Sequence, residues 1–171
     1  MKYFFDTEFL DTGKEIRPIS IGVVAEDGRE LYYVVPEAMY LCRKSPWLME
    51  NVAPHLPRNP LDERCIDIEN PHVRTKIEIS VLVQEFLLAK DAPELWAWYG
   101  AYDYVALVQL FGRMIDLPDG IPMYTNDIRS LVHWYGIKKY PSQMGVAHNA
   151  LEDARHNKVV FDYIMGEISN G

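Results

Sequence analysis

Residues 2–11, KYFFDTEFLD, decide how the chain is read. Aromatic and apolar residues dominate this run, as in a buried strand, yet Asp6 and Glu8 stand two positions apart within it. Side chains alternate across a strand, so Phe5, Thr7 and Phe9 point one way while Phe4, Asp6, Glu8 and Leu10 point the other. Both carboxylates therefore share a face. Like charges on neighbouring same-face positions repel, and burial makes each costlier to keep ionised. Water at an exposed strand end, a basic partner, a shared proton or a divalent cation relieves that repulsion. An acid-x-acid tripeptide is common by chance, so the rest of the chain has to choose among these.

Outward from this strand, IRPISIGVVAEDGRELYYVVP (residues 16–36) holds two strand-like runs, about Pro18 to Ala25 and Glu30 to Val35, joined by Asp27-Gly28. That dipeptide signals a hairpin and predicts a three-stranded meander. Residues 36–72 change texture: prolines recur and periodicity fades, which predicts an irregular insertion with a short helix opening at Ser45-Pro46. Ile79, Leu82, Val83 and Phe86 recur at helical spacing and predict a helix from about Val73 to Lys90. ELWAW (94–98) reads as a short buried strand, and a second helix carries Tyr104, Leu107, Val108 and Phe111. A brief strand around Met123 to Thr125 follows, then a helix from about Asp127 to Tyr135 stopped by Gly136, and a last helix from Ala150 to about Ile168. A meander followed by strands alternating with helices predicts an α/β fold, a mixed sheet covered by helices. At 171 residues the chain fits a single domain, 1–171.

Apolar residues at 49% and charged residues at 25% are the mix of a globular protein rather than a disordered one. No apolar run reaches membrane-spanning length and the N-terminus lacks signal-peptide features, so a cytoplasmic location is expected. Cys42 and Cys65 form neither a disulfide framework nor a zinc spacing. A net charge of −8 argues against gripping long nucleic acid through a generally basic surface. It leaves room for a polyanionic substrate whose phosphates meet metal cations.

Two further stretches carry acids at element ends. In WYGAYDYVAL (98–107), Asp103 follows a strand and opens a helix, where free backbone N–H groups favour a carboxylate; a plain helix cap is the bland alternative. In HNALEDARHN (148–157), Asn149 and Glu152 mark a helix start that puts Asp153 on the first or second turn and His148 on the loop before it. A loop histidine can swing toward a carboxylate-bound metal without being its ligand, as a general base for water requires. Four acids and one such histidine form the set that two-metal phosphoryl chemistry needs. His156, one helical turn after Asp153, is the rival base, while His55, His72 and His133 read as structural or solvated. Trp47 and Tyr102 could stack bases, Phe9 and Leu10 could wedge against a terminal base, and Arg17, Arg43, Lys44, Lys138 and Lys139 could guide phosphates or simply face solvent.

FDTEF (5–9), YDYVAL (102–107) and HNALEDA (148–154) resemble, in order and spacing, the three motifs of the DEDD superfamily of 3'-5' exonucleases, in its histidine-bearing DEDDh branch. YFFDTEF, ISIGVVAEDGRE and ELWAWYGAYDYVAL are similar to the small bacterial family of polyadenylate-specific 3'-exoribonuclease AS, a likeness over most of the chain that is weakest between Val35 and Ile79. In the wider superfamily an asparagine stands four positions before the second motif's aspartate; here it is Tyr99, which puts in doubt any substrate contact carried over there. The resemblance implies a ribonuclease H-like fold with a mixed five-stranded sheet. It implies Asp6 bridging two Mg²⁺ or Mn²⁺ ions, Glu8 and Asp153 completing one site, Asp103 holding the second, and His148 taking the proton of the attacking water. It further implies RNA 3' ends or overhangs as substrate, a preference for adenylate, nucleoside 5'-monophosphates as product, and pairing into a homodimer. A 3'-5' DNA exonuclease, a phosphatase with an Asp6 nucleophile and a non-catalytic RNA-binding module remain as alternatives.

Overall fold

The computed structural model describes residues 1–90 and 92–170. Strand β1 (Lys2–Asp11) is followed by β2 (Ile16–Ala25) and β3 (Glu30–Val34), then by short helices α1 (Ala38–Cys42) and α2 (Pro46–Asn51) and a small hairpin of β4 (Arg58–Asn59) and β5 (Asp62–Ile66). Helix α3 (Lys76–Leu88), β6 (Glu94–Ala97), α4 (Gly100–Phe111), β7 (Asn126–Asp127), α5 (Ile128–Trp134) and α6 (Ala150–Asn170) complete the order. The main sheet runs β3-β2-β1-β6-β7. The meander pairs are antiparallel, whereas β1–β6 and β6–β7 are parallel. This is the mixed sheet flanked by helices that the residue pattern predicts, with the five strands that the resemblance implies.

Alternation along β1 sorts the two halves of the core. Tyr3 and Phe5 enter a large cluster with Leu107 of α4, Val83 and Leu87 of α3, and the buried side chains of α1 and α2. Phe4 enters a second cluster with Ile128 and Val132 of α5 and Val160, Phe161 and Ile164 of α6. Burying aromatic rings of this size contributes about 1.5–3 kcal/mol each, so β1 is the strand on which both layers are built. The hairpin turn holds Gly28 at φ 88°, where a side chain would strain the backbone, and Gly28 N–H closes on Ala25 O at 3.0 Å.

Three expectations are corrected. Residues 36–72 are not irregular: α1, α2, the β4–β5 hairpin and a 3-10 turn at Ala53–His55 bury Leu41, Leu48, Val52, Leu56 and Ile66 against the core. Each element is shorter than the window in which periodicity shows. Helix α3 starts at Lys76 rather than Val73, because Thr75 caps it in a reciprocal pair with Glu78 while Val73 bridges to Val34. The strand expected at Met123 to Thr125 sits at Asn126–Asp127, where the Thr125 hydroxyl and the Asn126 side-chain amide both donate to Leu95 O and set its register beside β6.

Candidate active site

The ladder between β1 and β6 ends at Phe4↔Trp96. Beyond it β1 continues to Asp11 without that neighbour, and a cleft opens at the carboxyl end of the parallel strands, where open α/β sheets bind ligands. About 710 Å³ in volume, it is lined by Asp6, Glu8, Asp103, His148 and Asp153 together.

Each acid is held by a different element. Asp6 and Glu8 come from β1, as strand alternation requires. Asp103 lies in the first turn of α4 and accepts two hydrogen bonds on Oδ1, from the Thr7 N–H at 2.9 Å and the Thr7 hydroxyl at 2.7 Å. Thr7 N–H is free to donate because β6 has already ended. The start of α4 is fixed in turn by Asp127, which accepts from Gly100 N–H at 2.8 Å and from Ser130 N–H at the start of α5. Asp153 lies in the first turn of α6; Gln143 Nε2 donates to its Oδ1 and His148 N–H to its Oδ2 at 2.9 Å. Asn149 Oδ1 caps α6 by accepting from the N–H groups of Leu151 and Glu152. The reciprocal half of the expected box is replaced by an ion pair of Glu152 with Arg155.

Two contacts seat α6 on the sheet. Asn157, 4% exposed, donates through Nδ2 to Phe5 O at 3.0 Å. Gly22, opposite Asp6 in register, lets the backbone of Ala150 approach so closely that a Cβ there would stand 2.2 Å from Ala150 O. A glycine inside a β-branched strand signals such an approach, and this one was open to sequence reading.

The electrostatics are those of too many acids in too little water. Burial raises the pKa of Asp6 well above the usual carboxylate range, and Asp103, Glu8 and Asp153 add to the rise. Burial, then Asp153 and Asp103, pushes Glu8 up to about 8. Asp103 rises to about 6 through burial, held back by its bonds from Thr7. Asp153 rises through burial, opposed by Gln143 and the His148 N–H. Atoms of Glu8, His148 and Asp153 able to ligate a metal lie within 4.8 Å of one another. A set of carboxylate oxygens that cannot all ionise unaided fits hard divalent cations such as Mg²⁺ or Mn²⁺.

His148 has left-handed backbone, φ 63°, and its ring meets the edge of Trp47 from α2, centroids 4.8 Å apart. His156 also lines the cleft, half-buried, with its pKa lowered by burial. Phe9 and Tyr102 line the cleft and lie nearly parallel, centroids 6.1 Å apart at 11°. Leu10 does not join them. The β1–β2 pairing shifts between Glu8 and Phe9, skipping Ile19, and the shift turns Phe9 toward the cleft and Leu10, 6% exposed, into the core. The wedge role expected of Leu10 is therefore withdrawn. Gln143, Thr7 and Asn157 were missed as site-builders, and Trp47, read as a possible base contact, packs on His148 instead; nothing local in sequence marks these partners.

An acid pair on the first strand, met by an acid from a strand-to-helix turn and another from the last helix, is the arrangement of a 3'-5' exonuclease. The fold is that of exonuclease I. The moderately thermophilic enzyme from Methylocaldum szegediense matches with TM-score 0.61 at 12% identity, over 97% of this chain and 40% of that one. Exonuclease I of E. coli, solved with a dT13 oligonucleotide, matches with TM-score 0.55 at 10% identity, again over 97% and 40%. The chain thus spans about 40% of the length of these structures, and identity this low shows the fold alone. The chain belongs to the Rv2179c-like 3'-5' exoribonuclease family, whose domain matches residues 65–165. It is 43% identical over 157 residues to the 3'-5' exoribonuclease Rv2179c of Mycobacterium tuberculosis H37Rv, covering 91% of this chain and 88% of that one. Among the described residues no helix is long and apolar enough to cross a membrane.

Proposed function

We propose that the protein is a divalent-metal-dependent 3'-5' exoribonuclease that removes nucleoside 5'-monophosphates one at a time, with adenylate preferred. The observation that carries the mechanism is the convergence of Asp6, Glu8, Asp103 and Asp153 on one cleft beside His148. Family membership supports the reaction, and the unrelieved repulsion among the acids supports metal dependence.

Asp6, Glu8 and Asp153 would hold one cation, with Asp6 and Asp103 holding a second. When bound, the pair supplies charge neutralisation at the phosphate and lowers the pKa of the attacking water. The protein's own groups do the rest. His148, with a ring nitrogen within 4.8 Å of carboxylate oxygens of Glu8 and Asp153, would take the proton of the attacking water. Trp47 packs against the imidazole, and the His148 N–H ties the same loop to Asp153, so the base is held beside the ligand. Thr7 and Gln143 aim the carboxylates of Asp103 and Asp153, fixing positions that coordination requires to within about 0.5 Å. Phe9 and Tyr102, which line the cleft as a stacked pair, would offer an outer ring face to the 3'-terminal base.

A side-by-side digestion of 5'-labelled oligo(A), oligo(U) and the matching DNA, with Mg²⁺ and with Mn²⁺, tests the reading. Stepwise shortening of RNA from the 3' end, lost in Asp6→Ala, in Asp153→Ala and on chelation, is expected. His148→Ala should slow it strongly while metal binding persists. Undiminished turnover after chelation, or faster digestion of the DNA, would overturn it.

A further inference from the structure

The cleft carries aromatic rings that the chemistry does not use. Tyr99 precedes α4 with φ 54° and ψ 41°, a left-handed conformation that is an outlier for a bulky residue. Its ring is 63% exposed, so neither backbone comfort nor burial accounts for tyrosine here. Trp98 touches it edge-on, centroids 5.7 Å apart, and touches Tyr140 of the loop before α6 at 5.3 Å. Trp98 is anchored from behind by the α5–α6 core cluster, and the Arg129 guanidinium lies 5.9 Å from its ring centre. Tyr140 is 40% exposed, and Lys138 and Lys139 directly before it are exposed. All three rings line the cleft.

Resting on the exoribonuclease reading, we propose that Trp98, Tyr99 and Tyr140 form a stacking wall for the base of the penultimate nucleotide of single-stranded RNA. The bond to be cut lies between the last two nucleosides, so the acids must have a base on either side. Phe9 and Tyr102 form a separate stacked pair and serve the terminal base. The second base meets the other ring cluster. At about 710 Å³ the cleft is more than twice the low end, roughly 300 Å³, of small-ligand pockets, which leaves room for both. Every base offers a π-face, so this wall grips sequence-independently and adds holding power to a chain whose net charge of −8 gives little general attraction for RNA. The strain at Tyr99 is offset by a ring presented to ligand rather than to the core.

The test is a cycle between ring and base. A 5'-fluorescent RNA tetranucleotide is used intact, abasic at the penultimate position, or abasic at the 3' terminus. Its Kd, by anisotropy with Ca²⁺, and its KM, with Mg²⁺, are measured for the parent and for Tyr99→Asn, Tyr99→Phe and Tyr140→Leu. Asparagine tolerates the left-handed backbone, so Tyr99→Asn should melt at or above the parent temperature. It should nevertheless raise Kd and KM for the intact RNA roughly 5- to 150-fold, the range for losing one base–ring stack. Removing the penultimate base should cost the parent at least as much as Tyr99→Asn does, and should cost Tyr99→Asn and Tyr140→Leu each less than it costs the parent, while Tyr99→Phe behaves as the parent. Additive losses, or coupling of Tyr99 to the terminal base instead, would overturn the wall. A parent that binds without turnover strikes the exoribonuclease reading, and the Kd cycle still decides the wall.

Discussion

Gly22→Ala probes how the sheet sets the active site from a residue that touches no substrate. A Cβ at Gly22 would lie 2.2 Å from Ala150 O, 2.3 Å from Ala150 C and 2.4 Å from Leu151 N. Ordinary contact begins near 3.4 Å, so the first turn of α6 must withdraw by about 1 Å, since all three atoms are backbone and no side chain can swing aside. Overpacking of this kind costs about 1–3 kcal/mol of stability. Asp153 sits on that same turn, and Gly22 lies opposite Asp6 in the ladder, so the withdrawal parts Asp153 from Asp6 and Glu8 directly. A misplacement of about 1 Å at a catalytic group costs on the order of 100-fold in rate. The assay pairs thermal melting with kcat/KM on oligo(A) and with a Mn²⁺ titration. A folded variant with turnover down about 100-fold and weakened metal binding is expected. Turnover within threefold of the parent would refute the claim that the Gly22–Ala150 contact sets the site.

Three further outcomes follow from the same geometry. Thr7→Val removes the 2.7 Å hydroxyl bond to Asp103 and keeps the N–H at 2.9 Å; a bond to a charged group contributes about 1.5–3 kcal/mol, so turnover should fall about 10- to 100-fold, and parent-level turnover would exclude the positioning role. Glu8 rises from its usual 4.5 to about 8, so between those values the folded state keeps a proton the unfolded chain has released, and stability falls as pH rises through that window, by up to about 1.4 kcal/mol per pH unit for such a group. Melting in chelator should therefore drop from pH 5 to pH 8, with Mg²⁺ restoring most at pH 8; a flat or rising profile would contradict the electrostatics. Trp47→Ala should lower kcat about tenfold with KM within twofold, Trp47→Phe recovering most of it, whereas a rise in KM would make Trp47 a base contact instead of a support for His148.

What the sequence disclosed was whatever depends on near neighbours. The Asp6–Glu8 face, the Asp27-Gly28 turn, the Ser45-Pro46 helix start and the Asn149 cap are all written within a few residues. Leu10 escaped because a bulge is decided by pairing: β2 skips Ile19, and the alternation that holds up to Glu8 fails one residue later. The insertion escaped because helices of five and six residues are held by the core they cover, and they show too little period of their own. Gln143 escaped, and so did the packing of Trp47 on His148, because these partners are set by the path of a loop and of that insertion.

Thr7 shows most plainly how local reading and long-range structure divide the site. Alternation points its side chain away from the acid pair, so in sequence it is a spacer. In the fold that opposite face is where α4 arrives, and both donors of Thr7, its N–H and its hydroxyl, bind Asp103, 96 positions along the chain. The bond exists because β6 is only four residues long and its ladder to β1 stops at Phe4↔Trp96. Were β6 to run two or three residues further, its carbonyls would take the Thr7 N–H and its backbone would fill the space in which Asp103 now sits. The length of one short strand thus decides whether the fourth carboxylate can reach the other three.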